Sequence, residues 1–398
     1  MGLAAGGVMG SGWLSTAGSA YADVGSRAIW AWVIGGALML LIAVVMVELG
    51  IALPKTGGLI FLPLQAAGPL VATVVAAGLW IVYAANPASE AVAMVRGLAH
   101  WLPQLLPGAE SRSGLSTTGW LCAVVFLALI VGLNMLPPRR LIRLNFFVTV
   151  VKVVIPVLAV ICLGFAAADG CTQASVQFLS ERPGTPKGDE VGKLETLSVV
   201  LGGGVIYAYI GFQAPLDFAG NVKRRGMGEA ARLRWAVYGT LVGAFLVYTA
   251  LQCVFIRHCG RQLGEGMIES PYSRFAYVLH MTGLAWLLRL NAILSPMGSG
   301  IVFAHALTRE VAALSRAHLT HRGLQTARRA SFRFRGGEID AYWLILLVNF
   351  AIGLAMLALA RGHWGELVAL NSVPSLVVYA MPGVVLVALK LPAFRGTR

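Results

Sequence analysis

Uncharged or nearly uncharged runs recur along the whole chain. A helix needs about 20 apolar residues to cross roughly 30 Å of hydrocarbon, and these runs have that length. We therefore predict an all-α polytopic membrane protein with about ten transmembrane helices and no separate soluble domain. The predicted helices cover residues 1–21, 28–52, 66–99, 119–136, 142–167, 197–221, 235–256, 276–308, 341–360 and 368–389.

Two of the predicted helices contain glycine-rich sequence that favours a break. The first has glycines at residues 6–12, and the sixth has three at residues 202–204, followed by an aromatic segment that ends at Pro215. Glycines at such spacing also form packing surfaces between membrane helices. Their equivalent positions, five helices apart, favour an inverted repeat whose broken helices meet near the membrane midplane.

This plan divides the chain into two repeats of five helices each. We predict the first repeat over residues 1–168 and the second over residues 197–390. An external loop, residues 169–196, would connect them, and residues 391–398 would form a cytoplasmic tail.

A broken membrane helix supplies a binding site for opposite charges. Its new N-terminus carries a partial positive charge and free N–H groups that suit a carboxylate, while the carbonyls of the other half suit an ammonium group. The two breaks could therefore hold an amino acid. The same arrangement would suit other small zwitterions or an amine.

Composition and charge narrow the class of protein. The chain is 58% hydrophobic and 12% charged, with a net charge of +14. Arginine and lysine cluster at residues 139–143, 223–234 and 309–335, at every second helix connection, which predicts cytoplasmic N- and C-termini in a bacterial-type inner membrane. Because stacking aromatics are not interleaved with the basic residues, we expect no nucleic-acid partner. The five cysteines and seven histidines lack metal-ligand spacing, so we predict no metal and no cofactor.

Several motifs resemble the APC (amino acid/polyamine/organocation) superfamily of LeuT-like transporters over nearly the entire chain. Gly10-Ser11-Gly12-Trp13 is similar to its substrate-carboxylate motif, and Glu48-Leu49 before residues 54–58 (PKTGG) is similar to its signature after helix 2. Residues 209–220 and 295–300 resemble the subgroup of aspartate/glutamate–proton symporters. The family's usual twelve helices exceed the ten predicted here.

The resemblance implies a LeuT-like 5+5 inverted repeat with broken helices 1 and 6, and it assigns candidate site residues. Residues predicted to bind the substrate are Gly10, Ser11, Gly12, Tyr207, Tyr209, Ile210 and Gly211. Candidates for a gate or a supporting role are Glu48, Tyr83, Glu90, Phe212 and Asp217. Glu90 and Asp217 could accept hydrogen bonds from helix ends or belong to a proton path.

Lys152 lies ten residues into the fifth predicted helix, where a charge is costly and is usually functional. Some proton-coupled members of the resembled superfamily carry a lysine near the former sodium site, which implies a proton-coupling role here. The alternative is a lysine that extends to the cytoplasmic interface.

We therefore predict a secondary active transporter of amino acids that works by proton-coupled symport and alternating access. The predicted partners are an amino acid, a proton and membrane lipid. The alternatives are an amino acid antiporter, and a non-transporting sensor or truncated permease. The sequence has no Ser/His, paired-Asp or HExxH arrangement, so we do not expect an enzyme.

Overall fold

A computed structural model describes residues 2–52, 58–108, 114–136, 138–166, 193–217, 228–258, 271–325, 329–330, 339–340 and 342–390. Its helices are α1 (Gly2–Val8), α2 (Gly12–Val24), α3 (Ala28–Ala52), α4 (Gly58–Leu98), α5 (Thr117–Leu133), α6 (Pro138–Gly164), α7 (Lys193–Gly202), α8 (Val205–Tyr209), α9 (Ala214–Asp217), α10 (Glu229–His258), α11 (Pro271–Val278), α12 (Thr282–Arg316), α13 (Trp343–Leu359) and α14 (Trp364–Lys390). Short 3-10 helices lie at Gly25–Arg27, Pro103–Leu105 and Arg322–Gln325, and β1 (Arg329–Ala330) pairs with β2 (Ile339–Asp340) in an antiparallel ladder.

The described helices confirm a multi-pass membrane fold. Six stretches are long and apolar enough to cross a membrane: Gly25–Ala52, Gly68–Leu98, Arg140–Gly164, Ala230–His258, Thr282–Arg316 and Trp364–Val387. Two shorter apolar helices, α5 and α13, stand at the fourth and ninth predicted positions. The interrupted units α1–α2 and α7–α9 stand at the first and sixth positions, so the described residues contain all ten predicted units.

The eighth predicted helix begins in the wrong place. The apolar run at residues 276–308 contains the end of α11, a turn, and then α12, which begins only at Thr282. His280 lies in that turn with a φ of 58°, a left-handed conformation that interrupts a helix. At its other end α12 continues to Arg316. Its last turns contain polar residues, which allow a helix to continue beyond the hydrocarbon.

Helices at corresponding places in the two predicted repeats pack against each other. α3 contacts α10, and α4 contacts α12 along much of its length and also contacts α14. Each half has the same order of elements, a broken helix followed by four further membrane helices. The division into two repeats and their inverted symmetry stay predictions. Most of the predicted external loop and all of the predicted tail lie outside the described residues.

Candidate functional site

The first predicted helix is broken at the glycine-rich stretch, as expected. α1 ends at Val8 and α2 begins at Gly12. The amide of Met9 still donates to Ala5 O at 3.1 Å, whereas the amide of Leu14 donates to Ser11 O at 3.0 Å and starts a new ladder. Residues 9–11 thus separate the two helices and leave backbone groups that need other partners.

The sixth predicted helix is broken twice. α7 ends at Gly202, and Gly204 has a φ of 93° before α8 begins at Val205. After α8, Gly211 has a φ of 113° and leads into the short α9. Only glycine adopts these left-handed conformations without strain, which explains why the breaks fall at these positions.

The two broken units touch each other through their backbones. A Cβ added at Gly7 would lie 2.7 Å from Gly211 O, and one added at Gly12 would lie 2.7 Å from the Cα of Ala208. Both separations are too short for any side chain atom. The glycines of the two motifs therefore allow the broken helices to cross in contact.

The carbonyl groups at the end of α1 are satisfied by side chains from three other helices. The donors are Lys152 of α6, Tyr248 of α10, and Ser295 and Ser299 of α12. The bonds are Lys152 Nζ to Gly6 O, Ser299 Oγ to Gly7 O (2.9 Å), Tyr248 OH to Val8 O (3.0 Å), Ser295 Oγ to Met9 O (2.8 Å) and Ser295 Oγ to Gly10 O (3.1 Å). Every carbonyl from residue 6 to residue 10 thus accepts a side-chain hydrogen bond.

Lys152 lies in the protein interior and has no solvent-exposed surface. Its ammonium group donates to Gly6 O and, at 3.4 Å, to Ser295 O, so it connects α1, α6 and α12. A lysine that extended to the membrane interface would be exposed. The described position therefore contradicts that alternative and leaves the coupling role as a prediction.

Glu90 of α4 is buried beside the start of α2. Its Oε2 accepts the Ser11 amide at 3.0 Å, and its Oε1 accepts the Tyr207 hydroxyl at 3.2 Å. The Ser89 and Tyr207 hydroxyls lie 2.6 Å apart in the same network. A carboxylate of the protein thus occupies the helix N-terminus at which a cargo carboxylate was expected.

Trp364, at the start of α14, was missed by the sequence interpretation. Its indole Nε1 donates to Ser11 Oγ at 3.1 Å, and its ring meets the Tyr207 ring edge-on with centroids 5.9 Å apart. A residue that opens the last apolar helix resembles an ordinary interface tryptophan, so only tertiary contact reveals its place at the break.

A cavity of about 380 Å³ adjoins Trp364. It lies at the outer end of the bundle, by which we mean the end where α4 ends and α12 and α14 begin; the predicted topology places this end outside the cell. Its lining consists of Arg96, Gly114, Gly362, His363, Trp364, Gly365 and Glu366. Trp364 therefore lines this cavity, and its indole N–H also donates to the Ser11 hydroxyl of the first break.

The remaining candidates for substrate binding lie in the second break. Ile210 and Gly211 form its backbone and are buried. Tyr209 is buried as well, but its hydroxyl donates to Trp32 O at 3.3 Å and its ring packs against Trp32 and Tyr248. It therefore faces α3 and α10, whereas Tyr207 faces Glu90.

Apart from Glu90, the described candidates for a gate or support lie in two places. Tyr83 accepts a hydrogen bond from Gln213 Nε2 at 3.1 Å, and the Phe212 and Tyr379 rings stack with centroids 5.7 Å apart, both beside the second break. Glu48 lies near the end of α3 in an ion pair with Arg234. The Asp217 side chain and residues 54–57 of the signature lie outside the described residues.

Within the described part of the chain, no group of three or more His, Cys, Asp or Glu residues could hold a metal ion. The bonds around the breaks come from hydroxyl, ammonium, indole and carboxylate groups. These groups suit reversible binding of a polar solute.

Comparison with known proteins identifies the family. The sequence profile described as amino acid permease matches residues 1–392. The chain belongs to the amino acid permease family. This result confirms the resemblance to the APC superfamily and assigns the chain to a transporter family.

Two relatives of the permease come from Bacillus subtilis. It is 28% identical to the aspartate-proton symporter over 320 residues, which cover 78% of this chain and 58% of that protein. It is 27% identical to the glutamate/serine transporter AimA over 382 residues, which cover 94% of this chain and 67% of that protein. The permease thus aligns with between about half and two thirds of the length of these relatives.

Proposed function

We propose that the permease transports amino acids across the inner membrane by proton-coupled symport. The observation that carries this proposal is the hydrogen bond from the Ser11 amide, at the start of α2, to the Glu90 carboxylate of α4, beside the place where the two broken helices touch. The start of α2 already binds one carboxylate, and a cargo carboxylate requires the same donors. The printed names of the two relatives make aspartate, glutamate and serine the first ligands to test.

Binding of a cargo carboxylate at Ser11 requires that Glu90 move away. Protonation would remove the charge that holds Glu90 at the helix end, so the arrival of a proton and the arrival of the cargo would favour each other. The carbonyl oxygen of the neutral, freed Glu90 would then accept a hydrogen bond from the ammonium group of the cargo. Such an exchange would couple the cargo to a proton, as symport requires.

Lys152 would complete the coupling on the other side of the break. It lies close enough to Glu90 for their charges to interact, and its ammonium group donates to α1 and α12. Loss of a proton from Lys152 would weaken its bond to the Gly6 carbonyl and free α1 to move. A proton would thereby act where sodium-coupled members of the superfamily use Na⁺.

Alternating access then follows from the order of the contacts. Trp364 lines the outer cavity and its indole binds the Ser11 hydroxyl, so withdrawal of the indole would open the site to the outside. On the other side, the contact between Gly7 and Gly211 closes the path along α1 and α9. We propose that these two contacts open in turn.

The test measures thermal stability of the purified permease against a panel of amino acids, polyamines and organic cations. A ligand that binds only the folded state raises the melting temperature by mass action. We expect a shift with an amino acid, lost in Ser11→Trp and kept in Ser19→Trp, an exposed position two turns along the same helix.

Uptake into proteoliposomes with and without an inward proton gradient decides the mechanism. Stimulation by the gradient is the expected result. Exchange without any response to the gradient would favour the antiporter. A folded protein that binds no amino acid would favour a sensor or a non-transporting permease.

A further inference from the structure

Arg289 lies on α12 at the outer end of the bundle, at a depth that demands an explanation. It follows Thr282, the first residue of α12, by two helical turns, or about 10 Å at 1.5 Å per residue. A charged side chain at such a position in a membrane helix needs a polar partner, because hydrocarbon cannot solvate it.

The side chains around Arg289 lie at the surface of the helix bundle and not in its core. Its guanidinium carbon lies 5.5 Å from the centre of the Tyr277 ring and 5.9 Å from that of Trp286. These two side chains are 58% and 52% exposed, and the neighbouring Leu290 is exposed as well. Trp101, after the end of α4, extends the cluster by packing on Trp286 at 5.8 Å. Aromatic residues of this kind mark the level of the lipid headgroups.

The positive charge of Arg289 has no acidic counterpart in the described part of the chain. No ion pair joins Arg289 to a described Asp or Glu, and its Nε is a buried donor without a hydrogen-bond partner there. Burial and, secondly, the nearby Arg289 cation lower the pKa of His100, which leaves a neutral imidazole on this side. The ring contacts orient the guanidinium but accept none of its conventional hydrogen bonds.

We propose that Arg289, with Tyr277, Trp286 and Trp101, forms a binding site for the headgroup of an anionic phospholipid in the leaflet at the outer end. The phosphate would accept paired hydrogen bonds from the two Nη groups of the guanidinium, which are not among the buried atoms, a geometry that arginine suits better than lysine. The exposed rings and Leu290 would pack against the acyl chains of the lipid. A zwitterionic headgroup would gain less, because its ammonium group would be repelled by the positive charge of the guanidinium.

The site is independent of the proposed transport cycle. Arg289 contributes no bond to either broken helix among the contacts described above. Loss of the lipid site should therefore leave amino acid binding in detergent unchanged, and failure of the transport proposal would not affect it.

Native mass spectrometry of the delipidated permease, supplied with phosphatidylglycerol or with phosphatidylcholine of the same acyl chains, tests the site. We expect one phosphatidylglycerol molecule to remain bound at collision energies that remove phosphatidylcholine. The Arg289→Gln variant should lose most of this retention, at least fivefold, and its melting temperature should no longer rise with phosphatidylglycerol.

Arg257→Gln provides the matched control. Arg257 is an exposed arginine at the end of α10, and its guanidinium donates to the Ala166 carbonyl at 3.3 Å. This variant should keep the retained lipid. Equal retention in wild type and a folded Arg289→Gln variant would overturn the proposal. If Arg289→Gln does not fold, equal retention of the two lipids by the wild-type protein has the same consequence.

Discussion

Lys152 is the residue whose position most constrains the mechanism. Its ammonium group supplies hydrogen bonds to the Gly6 and Ser295 carbonyls in a region without solvent. A buried charge without partners would be strongly destabilising, so these acceptors are necessary for its presence. At the same time, each acceptor belongs to a different helix. The protonation state of one side chain can therefore affect the contact between α1 and α12.

We predict that Lys152→Met separates binding from proton coupling. Methionine fills a similar volume but donates no hydrogen bond, so two buried carbonyls lose a partner, at about 1–3 kcal/mol of folding free energy each. Amino acid binding at Ser11 should persist, whereas uptake should no longer respond to a proton gradient. Parallel measurements of thermal shift and gradient-driven uptake in proteoliposomes check both parts.

Arg140→Gln is the control for this prediction. Arg140 is an exposed cation near the start of the same helix, α6. Its replacement should leave both gradient-driven uptake and ligand binding close to wild type. Unchanged gradient dependence in a folded Lys152→Met protein would show that the lysine serves structure alone.

At the scale of elements, the two broken helices depend on close backbone contact. Gly7 meets Gly211, and Gly12 meets Ala208, at distances that admit no Cβ atom. The breaks are therefore matched surfaces as well as interruptions in hydrogen bonding. Replacement of a Gly12 α-hydrogen by a methyl group would force α2 and α8 apart and shift the donors around Ser11.

The Gly12→Ala variant should be unstable and inactive. Its added methyl group would lie 2.7 Å from both Cα and Cβ of Ala208, and overpacking of this kind costs about 1–3 kcal/mol. We expect a lower melting temperature and a loss of ligand-induced stabilisation, both measurable in the thermal assay.

Gly18→Ala is the matched control on the same helix. A Cβ at Gly18 would make only ordinary contact with Phe255, at 3.8 Å. Because alanine favours helix over glycine by roughly 0.5–1 kcal/mol, this variant should be as stable as wild type or slightly more so. Equal behaviour of the two variants would contradict the proposed close contact at Gly12.

The breaks could be predicted from sequence because glycine is a local signal, visible at residues 6–12 and 202–204. The partners of the broken backbone could not. Tyr248 lies 240 residues from Val8, and Trp364 lies 353 residues from Ser11, so their roles arise only when distant helices pack. The turn at His280 was not predicted for a different reason, which lies in the local sequence. Its neighbours are apolar, and hydropathy does not distinguish a turn between two helices from a continuous helix.

At the scale of the whole molecule, α3 and α10 are joined at the end opposite the outer cavity. Glu48, near the end of α3, accepts hydrogen bonds from Arg234 near the start of α10, with Arg234 Nη2 at 2.9 Å from Oε1 and 3.1 Å from Oε2. Both side chains are about half exposed. These helices belong to different predicted repeats, so the ion pair connects the two halves that alternating access would move relative to each other.

We predict that Arg234→Gln affects transport more than stability. An exposed ion pair contributes about 0.2–1 kcal/mol, so the melting temperature should change little. If the pair forms in only one of the two access states, about 1 kcal/mol changes the ratio of those states roughly fivefold, since 1.4 kcal/mol corresponds to a factor of ten. Initial uptake rates should shift within that range, and the charge-swapped pair Glu48→Arg with Arg234→Glu should restore them. Wild-type rates in both Arg234→Gln and Glu48→Gln would mean that the ion pair forms equally in both states, because a contact that does not distinguish two states cannot shift their populations.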